Sequence, residues 1–251
     1  NCGCCWAFAG VEAASDRACI ATEGKIATPL SAGAVCFSVY NGCGGGDMHT
    51  PWLKIQNGGV VTGAQSNNSK ADPFADDGLC YRYPLPHCRH HVGEDDCPYP
   101  LEGTPGCPDL EESPTAPTTC DTSARPPHDK WGSDGVTFDG DVVVHPIEEA
   151  AVQRAIMSGG PVAASMQVLS DFPKYRSGVY SPSSSDVLGS HAVKIVGWGV
   201  DGDKKYWHVA NSWNAYWGES GFFRIVRDEN ACGLLDTVVS SSDTATWTSA
   251  R

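Results

Sequence analysis

The sequence predicts an α+β protein with a helical first half and a β-rich second half. Three observations carry this. Apolar residues recur at helical spacing near the start, as Trp6, Ala7, Val11, Ala14, Cys19 and Ile20. Beyond residue 136, short β-branched runs alternate with glycine turns. Between them, residues 64–135 lose periodicity and are dominated by Pro, Gly, Asp, Ser and Cys. Helices first and strands later give two segregated halves, and the crevice between such halves favours a site.

In order, the first helix covers 5–22, with Glu12, Asp16 and Arg17 on its polar side and Gly24 as terminator. Further helical segments follow around 30–39, after Ser31, and near 48–57, before Gly58-Gly59. The segment 64–135 is too long for an unsupported loop, so its cysteines are expected to staple it into an ordered excursion. Val142–Val144 reads as a strand, and 147–158 as a helix ending at Gly159-Gly160-Pro161. Strands follow at 162–168, 191–198, 206–211 and 222–227. The chain is taken as one unit, 1–135 mainly helical and 136–251 mainly β.

Composition narrows the partners. The 251 residues include 30 acidic and 17 basic side chains, a formal charge of -13. That repels nucleic acid and anionic membranes, and the apolar runs are too short to span a bilayer. Twelve cysteines imply a disulfide framework made on a secretory route, consistent with the sequon Asn67-Asn68-Ser69. A zinc ribbon would need short paired cysteines, which are missing outside the Cys2 region, so no metal is expected.

Three residues carry the chemistry. Cys5 stands at the amino end of the first helix, where free amides and the helix dipole favour a thiolate. His191 opens a strand after Gly189-Ser190, placed to face a cleft. Asn211, in Asn211-Ser212-Trp213, offers a carboxamide to orient the imidazole, and the adjacent indole shields that bond.

Cys2-Gly3-Cys4-Cys5-Trp6-Ala7-Phe8 resembles the nucleophile motif of papain-like cysteine proteases. Ser190-His191-Ala192 and Asn211-Ser212-Trp213-Asn214 resemble the other two catalytic blocks in the expected order, and Gly44-Gly45-Gly46 the glycine stretch that meets substrate backbone. The resemblance implies a papain-like two-domain fold, a helical left domain and a β-barrel-like right domain with the cleft between them. Pro86-His87-Cys88-Arg89-His90-His91-Val92-Gly93 resembles the occluding loop of the cathepsin B type, about 80–120 here. That implies endopeptidase activity through a thioester, plus carboxydipeptidase activity in which His90 and His91 hold a terminal carboxylate.

By position, the resemblance assigns substrate contacts to Gly45, Gly46, Ser165, Ser190, Ala192, Trp213 and Thr237. Mammalian members carry an acid where Thr237 stands, so a weaker preference for basic side chains is expected. It implies disulfides Cys2–Cys43, Cys36–Cys107, Cys80–Cys120 and Cys88–Cys97, leaving Cys4, Cys5, Cys19 and Cys232 unpaired. A vicinal Cys4–Cys5 bridge is then one way to trap the nucleophile under oxidation. It also implies an oxyanion-hole glutamine shortly before Asn1 and a partner for Cys19 upstream. Expected partners are peptide and protein substrates, with a propeptide or cystatin-like inhibitors. A monomer without cofactor, in a lysosome-like acidic compartment or secreted, completes the picture. Two other readings stay open: a catalytically silent papain-like peptide-binding protein and a Cys/His metal protein.

Overall fold

A computed structural model describes residues 2–66, 74–93, 96–101, 103–108, 112–241 and 244–250. The sequon at 67–69 lies outside them.

Helix α1 spans Cys5–Ala21. Its first turn follows a Cys4 cap that offers no side-chain hydrogen bond. Alanine and Gly10 let it run through the middle of the molecule: Trp6, Ala7, Val11, Ala13 and Ala14 are all buried. A Cβ on Gly10 would lie 2.6 Å from Pro51, so the close approach of the next helix requires glycine there. The polar side expected for α1 is only partly polar. Arg17 is buried, its guanidinium spread over the carbonyls of Ala155, Gly160, Pro161 and Ser241 at 2.6–3.1 Å. Period alone cannot reveal this, because a fork of donors meeting carbonyls from the other half satisfies a buried cation.

The segment near 30–39 forms a shorter helix, α2 (Ala32–Cys36), capped by Ser31, whose hydroxyl accepts from the Ala34 amide at 3.0 Å. Helix α3 spans Thr50–Gly58, with Pro51 in its first turn and Gly59 in the left-handed region after it. These helices pack around Trp6, Leu30, Trp52, Ile55 and Phe138.

The second half is a seven-stranded sheet. Its strands are β2 (Val142–Val144), β3 (Val162–Leu169), β4 (Val179–Tyr180), β5 (Val187–Asp201), β6 (Lys204–Ala210), β7 (Phe222–Val226) and β8 (Val238–Ser241). They lie in the order β2-β8-β3-β5-β6-β7-β4. A two-stranded ribbon joins β1 (Val136–Phe138) to β9 (Ala245–Trp247), and helix α4 covers Glu149–Gly159. The second core gathers Phe172, Trp207, Trp217, Phe223 and Ile225 between the sheet and its loops. Ala163, Ala192 and Val239 of this sheet belong instead to the first core, so α1 packs directly on the sheet and the halves share an apolar seam.

Four disulfides join described residues: Cys2–Cys43, Cys4–Cys36, Cys80–Cys120 and Cys88–Cys107. The expected Cys36–Cys107 and Cys88–Cys97 bridges do not form. Nor is Cys4 unpaired: α2 brings Cys36 to within 5.8 Å of Cys4, Cα to Cα, so Cys36 is consumed there. Cys107 is then free to close on Cys88, and Cys97 remains a buried thiol. Cys5, Cys19 and Cys232 are also free thiols. With Cys4 committed to Cys36, a vicinal Cys4–Cys5 bridge is absent too.

Candidate active site

The turn before α1 is fastened twice to the segment 36–43, through Cys2–Cys43 and Cys4–Cys36. The Gly3 amide also donates to the Cys43 carbonyl at 2.7 Å, and a Cβ on Gly3 would fall 2.7 Å from that oxygen. Trp6 donates its indole N–H to the Gly42 carbonyl at 3.1 Å, and its ring leaves no room for a Cβ on Gly46. The sequence Cys-Gly-Cys-Cys-Trp is thus a fixed platform that aims Cys5 outward from a helix start.

His191 reaches the same place from the sheet. Strand β5 lies between β3 and β6, and the register pairs Lys194 with Ala210. Asn211, one residue past β6, therefore lies alongside the residues that follow His191. His191 Nε2 donates to Asn211 Oδ1 at 2.7 Å, which leaves Nδ1 as the ring's other nitrogen for proton exchange. Trp213 lies over the imidazole with ring centroids 5.2 Å apart. The Ala192 amide donates to the Cys5 sulfur, so Cys5 touches the strand that carries His191.

Electrostatics oppose charge on either group taken alone. Burial pushes the Cys5 thiol up, partly offset by amides of Ala192, Trp6 and Cys5 itself. Burial likewise pushes His191 down to about 4; the Asn211 bond favours the cation, while His90 and His91 oppose it. The helix-start argument for a lowered thiol pKa therefore names a real contribution that burial outweighs.

Cys5, His191, Asn211, Trp213, Ser190, His90 and His91 all line one cleft of about 840 Å³, floored by Phe8, Tyr83 and Leu85. His90 meets Trp213 edge-on and His91 meets it at a tilt, with centroid distances of 5.3 and 4.3 Å. Asn214 Nδ2 donates to the His90 carbonyl at 3.1 Å, and Tyr99 meets Tyr216 edge-on at 5.5 Å. These two contacts fasten the loop to the residues after Asn211; neither stands out in the sequence, because each joins segments more than a hundred residues apart. Gly45, Gly46, Ser165, Ala192 and Thr237 are not among the cleft-lining residues. Ser165 and Ala192 are register partners, and the Ser165 amide donates to the Thr237 carbonyl at 3.0 Å, so these three cluster beside the cleft.

One further link ties the two halves. Lys194 Nζ, on the strand of His191, lies 2.7 Å from Asp16 and 3.8 Å from Glu12, both on the helix of Cys5. Burial alone would lower the Lys194 pKa, but the two carboxylates raise it, so the ammonium is held charged.

Residues 1–242 match the model for papain family cysteine proteases. The chain belongs to the papain family. It is 39% identical over 247 residues to cathepsin B-like cysteine proteinase 6 of Caenorhabditis elegans, covering 95% of this chain and 59% of that protein. To a cathepsin B-like cysteine proteinase of Schistosoma japonicum it is 35% identical, over 96% of this chain and 66% of the relative. The chain thus spans about two thirds or less of these relatives. Among solved structures, procathepsin B S9 from Trypanosoma congolense superposes with a TM-score of 0.68 at 27% identity, over 96% of this chain and 69% of that one. The fold is therefore papain-like and α+β.

Proposed function

We propose that this papain-family chain is a cathepsin B-like cysteine peptidase, with Cys5 as nucleophile, His191 as acid and base, and Asn211 as orienter. The observation that carries it is the His191–Asn211 bond at 2.7 Å beside a free Cys5 in the same cleft. Cys4 is only 1% exposed and its sulfur is bridged, which leaves Cys5 as the attacking atom.

In the first half-reaction the Cys5 proton passes to His191 as Sγ attacks the peptide carbonyl carbon. The new S–C bond drives the carbonyl electrons onto oxygen, where the Cys5 amide at the helix start is a ready donor. Collapse breaks the C–N bond, and His191 gives its proton to the leaving amine, which leaves a thioester. Water then gives a proton to His191 and attacks the thioester; the acid leaves and the thiol reforms. Burial explains why proton transfer is coupled to attack: a buried imidazolium is favoured only while a negative sulfur or oxyanion faces it.

His90 and His91 support a finer reading, carboxydipeptidase action. They line the cleft against Trp213, where charge-assisted bonds to a substrate carboxylate are within their donor chemistry. Exopeptidase activity should then fall more steeply than endopeptidase activity as pH rises; a parallel fall of both would count against the clamp. Likeness to the procathepsin structure supports synthesis with a propeptide; work on peptide substrates in an acidic, lysosome-like compartment belongs to the same proposal.

The decisive experiment is labelling by an epoxysuccinyl thiol-protease inhibitor on the full-length protein. One label per chain, mapped to Cys5 and lost with activity in Cys5→Ala, is expected. An unlabelled, well-folded chain would favour the silent peptide-binding alternative.

A further inference from the structure

The two bridges under α1 are closer to each other than their pairing requires. The sulfurs of Cys2, Cys4, Cys36 and Cys43 all lie within 4.8 Å of one another, and Cys2 Sγ is 3.1 Å from Cys4 Sγ across the two bridges. We propose that these four residues form a redox-gated metal site: bridged in pairs when oxidised, and a tetrathiolate for one soft divalent cation of the Zn²⁺ class when reduced.

Geometry and accessibility point the same way. A tetrahedral zinc with bonds of about 2.3 Å sets its sulfurs about 3.8 Å apart, so bonded pairs must open while the widest unbonded ones close by about an ångström. The ligands come from two short segments that the Gly3–Cys43 backbone bond also joins.

Access is graded. Cys4 and Cys36 are buried, whereas Cys2 is half-buried and lines the cleft. An outside reductant therefore meets Cys2–Cys43 first. A thiolate freed at Cys2 stands 3.1 Å from Cys4 Sγ; its attack there forms Cys2–Cys4 and releases the Cys36 thiolate. A second equivalent of reductant opens that bond. With a monothiol the balance is two disulfides and four thiols giving four protein thiols and two small disulfides. The cation then replaces four protons, for a site charge of -2.

The test separates these sulfurs from the rest. The oxidised protein is alkylated with iodoacetamide, which caps accessible free thiols including Cys5, then reduced with a trialkylphosphine, desalted and titrated with Zn²⁺. One zinc per chain is expected, with cobalt substitution giving the absorption of a tetrahedral tetrathiolate. Cys80→Ser/Cys120→Ser should bind alike, while Cys4→Ser/Cys36→Ser should bind at least a hundredfold more weakly. Circular dichroism follows the fold throughout, and Cys4→Ala alone, which keeps three thiols, provides a milder comparison. Equal zinc affinity in both double variants would overturn the proposal, as would a reduced wild-type chain, folded or not, that retains no zinc.

Discussion

Replacing Asn211 with alanine probes the catalytic reading most directly. The substitution deletes the side-chain acceptor of His191 Nε2, a bond of 2.7 Å to an imidazole that is 7% exposed. A hydrogen bond to a charged group contributes about 1.5–3 kcal/mol. That interaction is strongest when His191 is protonated, so it acts on the transition state more than on bound substrate. At about 1.4 kcal/mol per tenfold, kcat/KM should fall by about 10- to 150-fold, chiefly in kcat. The assay is hydrolysis of a fluorogenic peptide amide by full-length enzyme, normalised to active sites titrated with an epoxysuccinyl inhibitor. Asn211→Asp should retain more activity than the alanine variant and move the pH profile upward, because a carboxylate stabilises the imidazolium. A folded Asn211→Ala enzyme within threefold of wild type across the pH range would refute the orienting role.

Other predictions follow from the same coordinates. In Cys5→Ala, nuclear magnetic resonance should find His191 titrating near 4, against about 6.5 for an unperturbed histidine. Between those values only the unfolded chain binds the proton, so this residue's contribution to stability is complete above about pH 6.5 and declines as pH falls toward 4. A titration at or above the ordinary value would contradict the burial argument. Arg17→Met strips donors from four carbonyls, those of Ala155 and Gly160 at the end of α4 among them, and should cost about 3 kcal/mol or more. At about 2–4 °C per kcal/mol the melting temperature drops by about 6 °C or more, and a loss below 2 °C in calorimetry would show that water replaces the guanidinium cheaply. Tyr216→Ala removes the edge contact with Tyr99, about 0.5–1.5 kcal/mol of loop attachment. The ratio of carboxydipeptidase to endopeptidase turnover should then fall by about 2- to 13-fold, and an unchanged ratio would mean that the Tyr99–Tyr216 contact does not hold the loop.

Much of the site is legible in the chain because its parts are local. Cys5 stands beside Trp6 at a helix start, His191 follows Gly189-Ser190, and Asn211 precedes Trp213; each motif announces its chemistry within a few residues. Helical spacing marks α1 and α4, and glycine-separated β-branched runs mark the sheet. Strands β8 and β9 escaped because Val238–Ser241 and Ala245–Trp247 are too short for alternation to register, and β9 owes its conformation to pairing with β1.

What the sequence by itself determined is therefore the α+β division of the chain, and it singled out the candidate reacting groups, since both depend on neighbouring residues and on period. Only the tertiary structure decided which sulfurs pair, why Arg17 is buried, and that burial works against the charged forms of Cys5 and His191. Those outcomes turn on distances between segments remote in the chain. Cys36 bonds to Cys4 rather than to Cys107 because packing of α2 on α1 sets which thiol is in reach, and spacing along a chain carries no record of that.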